Sequence, residues 1–475
     1  MNDGAGMVAV VGDVLPEIAL VLGGVVVLLY ALVAGAERQM GAALLALVAT
    51  GVAAVLTIAV LADPQKVTFF GTYARDGSAL WGKLIVLAAT AVTIGLSAPW
   101  FRRDPRHGEY YTLLLYSGLG AVLLAGATDL KELIVAMLLS SATGFVLSGY
   151  HRRSSPSAEA AIKYYLIGAL ANSAMLFGVA LLFGLAGGTT LDALDTGLSG
   201  GIATVVGVGL VIVGVAFKIG AVPAYMWVPD VAQGAPAPVA AFVTAVPKVG
   251  GFIFLARFVL ALPDGAIGWE VLVAVLAALT MTLGNLACLW QDDLRRLLGW
   301  SAVSQAGYGL MAIVAIGQSD LAVPALLFFL LAYVPANLAA FGVVVELRGR
   351  TALADYAGLA RTRPLLAGAL ATSFLSFIGV PPLSGFVAKL LLFLVAIEVG
   401  YTWLAVVAAI NTVISIFYYV RVLAPAYFGA SAGPVRVLGR PAAVATLAAA
   451  GALIVTGIAA EPFLAAFRAA ALLIR

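Results

Sequence analysis

The sequence predicts an all-α integral membrane protein of about fourteen transmembrane helices, built as two inverted five-helix repeats with broken helices at spans 7 and 12. Three observations predict it. The 475 residues are 63% hydrophobic and only 10% charged, against roughly 25% charged in a soluble domain, so the chain cannot cover a water-facing surface. Apolar runs of about 20 residues, the length that crosses a bilayer, recur from end to end, and the mean hydropathy is +1.09. Prolines and glycines interrupt two of these runs in corresponding places, the sequence trace of an inverted-repeat transporter.

Charged or Pro/Gly-rich segments mark the gaps between runs. They place spans near 14–35, 42–62, 79–100, 110–128, 130–149, 159–187, 200–227, 236–260, 268–290, 296–316, 320–347, 364–397, 400–428 and 437–463. The segment around Asp3 and Asp13 is acidic and runs into a full-length span, unlike a cleavable leader with its basic start, so the first run is expected to stay as helix 1. The organisation that follows is three N-terminal helices (1–109), a first repeat (110–260), a second repeat (261–428) and a C-terminal helix (429–475).

Charge sets the orientation. Odd-numbered loops hold Arg38, then Arg102, Arg103 and Arg106, then Arg152 and Arg153, then Arg295 and Arg296, then Arg348, Arg350, Arg361 and Arg363, and finally Arg436 and Arg440. Even-numbered loops hold little beyond Lys66, Arg75 and Lys131. By the positive-inside rule the odd loops are cytoplasmic and both termini lie on the outer side of the cell membrane. One cysteine, Cys288, inside an apolar run excludes a disulfide framework and a Cys-based metal or iron–sulfur site. No long soluble stretch is present, so a soluble enzyme or a nucleic-acid-binding module is not expected. His107 and His151 sit in short basic loops and read as solvated; Glu346, Asp355 and Arg361 are likewise expected in water.

Three lysines lie deep in apolar runs: Lys218 in GVAFKIG, Lys248 in AVPKVGGF and Lys389 in SGFVAKLLLF. A lysine at the centre of a span costs about 2.5 to 3.5 kcal/mol on insertion scales and needs a polar cavity, a partner or a neutral state. Burial disfavours the ammonium form in general, and ready exchange between the two forms is what a proton relay requires. Snorkelling to an interface is the plain alternative, but two of the three stand beside predicted helix breaks. Lys163 follows Glu159 at the i to i+4 spacing of an ion pair and reads equally as an interfacial anchor or a relay entrance. Ser301, Ser304, Gln305, Tyr308, Asn337 and Asn411 can hold water between the lysines, although each alone reads as a helix-to-helix hydrogen bond.

These motifs carry a resemblance. FKIGAVPAYMWVPDVAQGAPAPVAAFVTAVPKVGGF, from Phe217 to Phe252, is similar to the most specific motif of subunit N of bacterial NADH:quinone oxidoreductase, respiratory complex I. The wider antiporter-like family includes subunits L and M and Mrp-type antiporters. EAAIKYYLIGAL (159–170), DDLRRLLGWSAVSQAGY (292–308), DYAGLARTRPLLAG (355–368), FLSFIGVPPLSGFVAKLLLF (374–393) and WLAVVAAINTVISIFYYVRVL (403–423) match in order. The resemblance implies a non-redox subunit of a multi-subunit proton translocase, in contact with other membrane subunits, lipid, water and protons. NADH, flavin mononucleotide, iron–sulfur clusters and quinone would reside on partner chains, leaving no cofactor here. It further implies that Lys218 is the switchable proton holder, Lys248 the connecting relay and Lys389 the terminal exchange site toward the outer face; Lys163, Ser304, Gln305, Tyr308 and Tyr225 are candidate accessory groups beside them. A membrane-bound hydrogenase or Mrp-type subunit, and a non-pumping structural paralogue, are the alternatives.

The sequence departs from the family pattern at three ionisable places. The resemblance implies a glutamate in mid-helix 5 as partner of the helix 7 lysine, and alignment by Gly149 and Tyr150 puts Leu138 there. Glu132, six residues earlier, lies about 9 Å along a helix and on another face. Ala224 and Tyr225 stand for the usual Phe-His, and Ala232 and Gln233 for the usual Tyr-Glu. Without the carboxylate the charge on Lys218 is held less firmly, and a weakened or rearranged coupling is expected.

Overall fold

In hydrocarbon every backbone N–H and C=O must find its partner within the protein, which leaves the helix as the spanning unit for such a chain. The computed structural model describes residues 11–104, 107–263, 268–430, 433 and 438–474. Asp3, Arg106 and Arg436 lie outside the described residues. The first six helices are α1 (Leu15–Val33), α2 (Met40–Ala59), α3 (Gly77–Phe101), α4 (His107–Gly126), α5 (Leu130–Ser148) and α6 (Ser155–Ala186). A short α7 (Leu191–Gly197) leads to α8 (Ile202–Ile219), α9 (Trp227–Gly234), α10 (Ala237–Val243) and α11 (Val246–Leu260). The remainder are α12 (Trp269–Cys288), α13 (Leu294–Val314), α14 (Ala322–Glu346), α15 (Leu359–Thr362), α16 (Pro364–Ile378), α17 (Ser384–Glu398), α18 (Thr402–Phe428), α19 (Arg440–Ile458) and α20 (Ala460–Arg468).

Among the described residues 12 helices are individually long and apolar enough to cross a membrane, against about fourteen expected. The other two predicted runs fold as α4, of 20 residues, and as α16 and α17, of 15 residues each. A half of that length falls short of the roughly 20 residues a crossing needs. Local chemistry fixes the starts: Asp76, Asp129 and Asp293 accept from the backbone N–H of Ala79, Lys131 and Arg296 to cap α3, α5 and α13, replacing the partners that a helix start lacks. An antiparallel hairpin of β1 (Lys66–Thr68) and β2 (Tyr73–Arg75) fills the second loop, which the apolar pattern did not show.

Both predicted breaks are present, with matching construction. α8 ends at Ile219 with Gly220 at φ 72°, and α16 ends at Ile378 with Gly379 at φ 92°, left-handed values that favour glycine. Cis peptides follow at Val222–Pro223 and Pro381–Pro382. The peripheral helices α1, α2, α6 and α18 expose leucine, isoleucine and phenylalanine outward, including Leu29, Leu44, Leu170 and Phe417, a surface suited to lipid. In contrast α11, α13 and α14 are almost wholly buried and form the centre on which α4, α8, α16 and α17 pack.

Three expectations of solvation are corrected. Glu346 is 1% exposed, because Leu438, just before α19, lies against it and donates its N–H to the carboxylate at 3.2 Å. His107 is buried as the first residue of α4, its Nδ1 2.6 Å from Asp104 O. His151 stacks on Trp100 at 6.2 Å and meets Phe101 edge-on at 5.5 Å. Burial, and then the nearby Arg348, holds the His151 pKa below its ordinary value. The aromatic residues that meet these rings stand near helix ends, Trp100 and Phe101 on α3 and Tyr111 on α4.

Candidate functional site

Lys218, Lys248 and Lys389 are all buried inside the helical core, none more than 6% exposed. Lys218 stands in the last turn of α8 and donates to Ser141 Oγ on α5 at 2.8 Å. Lys248, in the first turn of α11, donates to Ala302 O on α13 at 2.5 Å and lies 5.3 Å from the centre of the Tyr333 ring. Lys389, on α17, donates to Ile378 O and Thr412 Oγ1, both at 3.2 Å, with its ammonium 4.1 Å from the centre of the Tyr308 ring. The Ile378 carbonyl belongs to the last residue of α16, so the lysine of one half-helix uses a group freed where the other half stops.

Glycine brings the first two lysines together. A Cβ on Gly220 would sit 3.5 Å from Lys248 Nζ, and one on Gly251 would sit 3.3 Å from Lys218 Cγ. Each lysine therefore runs beside a glycine of the other's segment. The row continues through aromatic and hydroxyl groups. Tyr333, Gln305, Ser376 and Lys389 line one narrow cavity, and the same Tyr333 ring faces Lys248. Beyond Lys389, Thr412 Oγ1 is 2.9 Å from the Tyr308 hydroxyl.

The accessory residues divide. Tyr308 and Gln305 join the row at Lys389; Gln305 Nε2 donates to Phe377 O at 3.4 Å. Ser304 is buried with its hydroxyl unpartnered among the described residues. Tyr225 is half-buried against Trp300 at 5.7 Å and is not brought to a lysine by any contact described. Lys163 is 43% exposed and bridges Glu159 at 2.7 Å and Asp230 at 2.9 Å; Asp230 also takes Arg296 at 2.6 Å. It ties α6 to α9 and α13, an anchor geometry. Leu138 is 47% exposed on the outer face of α5, while Ser141 meets Lys218. Glu132 does not replace the missing carboxylate beside Lys218, since it lines a separate cavity with Glu17, Tyr73 and Asp129.

Sequence reasoning passed over Lys83, Arg257, Tyr333 and Thr412. Lys83 and Arg257 were visible as charges inside predicted spans. Tyr333 and Thr412 carried no signal beyond being polar in apolar runs. Lys83 is 1% exposed and pairs with Glu17 at 2.5 Å; Arg257, fully buried, pairs with Asp76 at 2.6 and 3.1 Å. No group of three His, Cys, Asp or Glu side chains that could hold a metal ion occurs among the described residues.

Residues 127–415 match the family model described as NADH:quinone oxidoreductase/Mrp antiporter, TM. The chain is 43% identical over 446 residues to NADH-quinone oxidoreductase subunit N of Mycobacterium sp. (strain JLS), covering 91% of this chain and 94% of that relative. A chain of respiratory complex I from Thermus thermophilus superposes with a TM-score of 0.85 at 32% identity, covering 96% of this chain and 100% of that one. A chain of the Mrp complex from Dietzia sp. DQ12-45-1b gives the same TM-score at 20% identity, covering 97% of each, a likeness of fold.

Proposed function

From the premise that this chain belongs to the NADH-quinone oxidoreductase subunit N family, the membrane-arm subunits of respiratory complex I, we propose that Lys218, Lys248 and Lys389 form its proton-conducting row. One contrast carries the reading. A buried charge is ordinarily paired, because leaving it alone costs several kcal/mol. Lys83 and Arg257 follow that rule in this molecule, each against a carboxylate. The three row lysines do not: among the described residues their hydrogen-bond partners are hydroxyl and carbonyl oxygens. Neutral acceptors hold an amine in place without locking it as an ammonium, so each lysine can take up and release a proton.

In this reading Lys218 receives the proton, Lys248 passes it across the glycine contact, and Lys389 releases it toward the outer face through Thr412 and Tyr308. The chain carries no redox group; NADH, flavin, iron–sulfur clusters and quinone are served by partner subunits. Both termini face outward. Because Ser141, and no carboxylate, meets Lys218, a second reading is a subunit whose coupling is weakened. Vesicles holding the assembled complex decide between them. With Lys218→Met, Lys248→Met or Lys389→Met, NADH oxidation should persist while the protons moved per electron fall below wild type. Unchanged ratios in all three variants would sink the conducting row.

A further inference from the structure

The outer ends of α1, α3 and α5 and the β1–β2 hairpin bring together a second set of ionisable groups, apart from the lysine row. Most of these acids have a cation. Asp13 takes Lys66 at 2.9 Å and Arg75 at 3.1 Å, and Asp63 takes Arg75 at 3.1 Å. Asp76 takes Arg257 from α11, Asp129 takes Lys131 at 3.6 Å, and Glu17 takes Lys83 at 2.5 Å. Tyr73 also donates its hydroxyl to Glu17. Glu132 is the exception, with no cation within 4.0 Å of its carboxylate among the described residues.

Two carboxyl oxygens of the set, Glu17 Oε2 and Glu132 Oε2, are buried without a partner. Both residues border the same cavity of about 400 Å³, together with Tyr73, Asp129 and Lys131. Glu17 is 5% exposed, so its free oxygen is not simply turned to bulk water. A cavity of that size is roomy enough for water at polar groups. The buried cations nearby, Lys83 and Arg257, are already taken by Glu17 and Asp76, which leaves the Glu132 carboxylate without a cation of its own among the described residues. A buried carboxylate in that position takes up a proton or a counter-ion, and among the described residues no cluster of three acidic, His or Cys groups is placed to hold a metal.

We propose that Glu132, set against the Glu17–Lys83 pair, is a second proton-exchange site of this chain, reached from the cavity at the outer ends of α1, α3 and α5. It stands outside the lysine row, and it rests on the translocation reading only for its use in transport, because its protonation can be measured without turnover. The six-residue offset from Leu138 takes on a meaning here: the α5 carboxylate of this chain shares a cavity with Glu17, while Ser141 meets Lys218.

The test treats the assembled complex in lipid nanodiscs with dicyclohexylcarbodiimide, an apolar reagent that modifies protonated carboxyl groups, and maps adducts by peptide mass spectrometry across a series of pH values. An adduct on Glu132, absent from the cation-paired Asp129, is expected, and it should decline about tenfold per pH unit above its midpoint. Lys83→Met removes the cation that Glu17 holds, which leaves two unpaired carboxyls on one cavity, and should carry the labelling to higher pH and extend it to Glu17. Lys218→Met should leave the labelling unchanged whatever it does to transport, so the two readings fail separately. No adduct on Glu132 at any pH, or one indifferent to both pH and Lys83→Met, would overturn the site.

Discussion

Ser141 is a small residue with a large consequence, because its hydroxyl is the hydrogen-bond acceptor that fixes Lys218 in the core. Leaving a buried polar donor unmatched costs about 1 to 3 kcal/mol. Ser141→Ala should therefore slow proton transport by about tenfold or more, a change of about 1.4 kcal/mol in barrier, while Ser141→Thr, which keeps the hydroxyl, restores most of it. Initial rates of acidification in vesicles make the comparison. His151 supplies a pH dependence at the same scale. Burial and Arg348 lower its pKa in the folded protein, so the unfolded chain binds the proton more tightly, and stability falls as pH drops through about 6.5 toward the folded value. Replacing His151 by Phe keeps the stack on Trp100 and removes the titration. Thermal melting of the purified complex should then show the acid loss below about pH 6.5 reduced in the variant, by at most about 1.4 kcal/mol per pH unit.

Elements explain what was legible in the sequence and what was not. The two broken helices were readable because glycine and proline act within a few residues, and Gly220 and Gly379 occupy the left-handed positions where α8 and α16 stop. A Cβ on Gly379 would meet Lys389 Cδ at 3.1 Å as well as forcing an unfavourable φ. Gly379→Ala should cost about 1 to 2 kcal/mol from the backbone alone and lower transport by displacing Lys389. Gly368, on the same α16 with nothing within 4 Å of its added Cβ, is the control: alanine there should stabilise by up to about 1 kcal/mol. Lys218, Lys248 and Lys389 were legible as charges in apolar runs and the resemblance implied their order, but the contacts that join them were not legible, since these depend on how α8, α11, α13 and α17 cross. The burial of Glu346 and His107 was hidden for the same reason. So were the partners of Arg257, which clamps Asp76 and donates to Ala125 O and Leu473 O. Arg257→Met strands Asp76 and should cost about 3 to 5 kcal/mol, whereas adding Asp76→Asn, which removes the charge and keeps an oxygen to cap α3, should return much of it; melting temperatures of the assembled complex would show the difference.

At the scale of the whole molecule, function depends on which side of the membrane each loop faces, and charge is the feature that assigns it. Arg103, Arg152, Arg153 and Arg348 border one cavity between three odd-numbered loops, whereas Lys131 starts α5 at the opposite end of the same helix that leads to Arg152. With 19 residues, α5 spans about 28 Å at 1.5 Å per residue, close to the hydrocarbon thickness. Ser141 lies within it, so the Lys218 contact is at membrane depth only if α5 crosses. The native cysteine Cys288 is fully buried and should be silent toward a membrane-impermeant maleimide. Single variants Lys131→Cys and Arg153→Cys, both at exposed positions, then report sidedness directly in right-side-out and inverted vesicles. Lys131→Cys should react from the outside and Arg153→Cys from the cytoplasmic side. Reaction of both from one side would mean that α5 does not cross, and the lysine row would lose the membrane depth on which its chemistry depends.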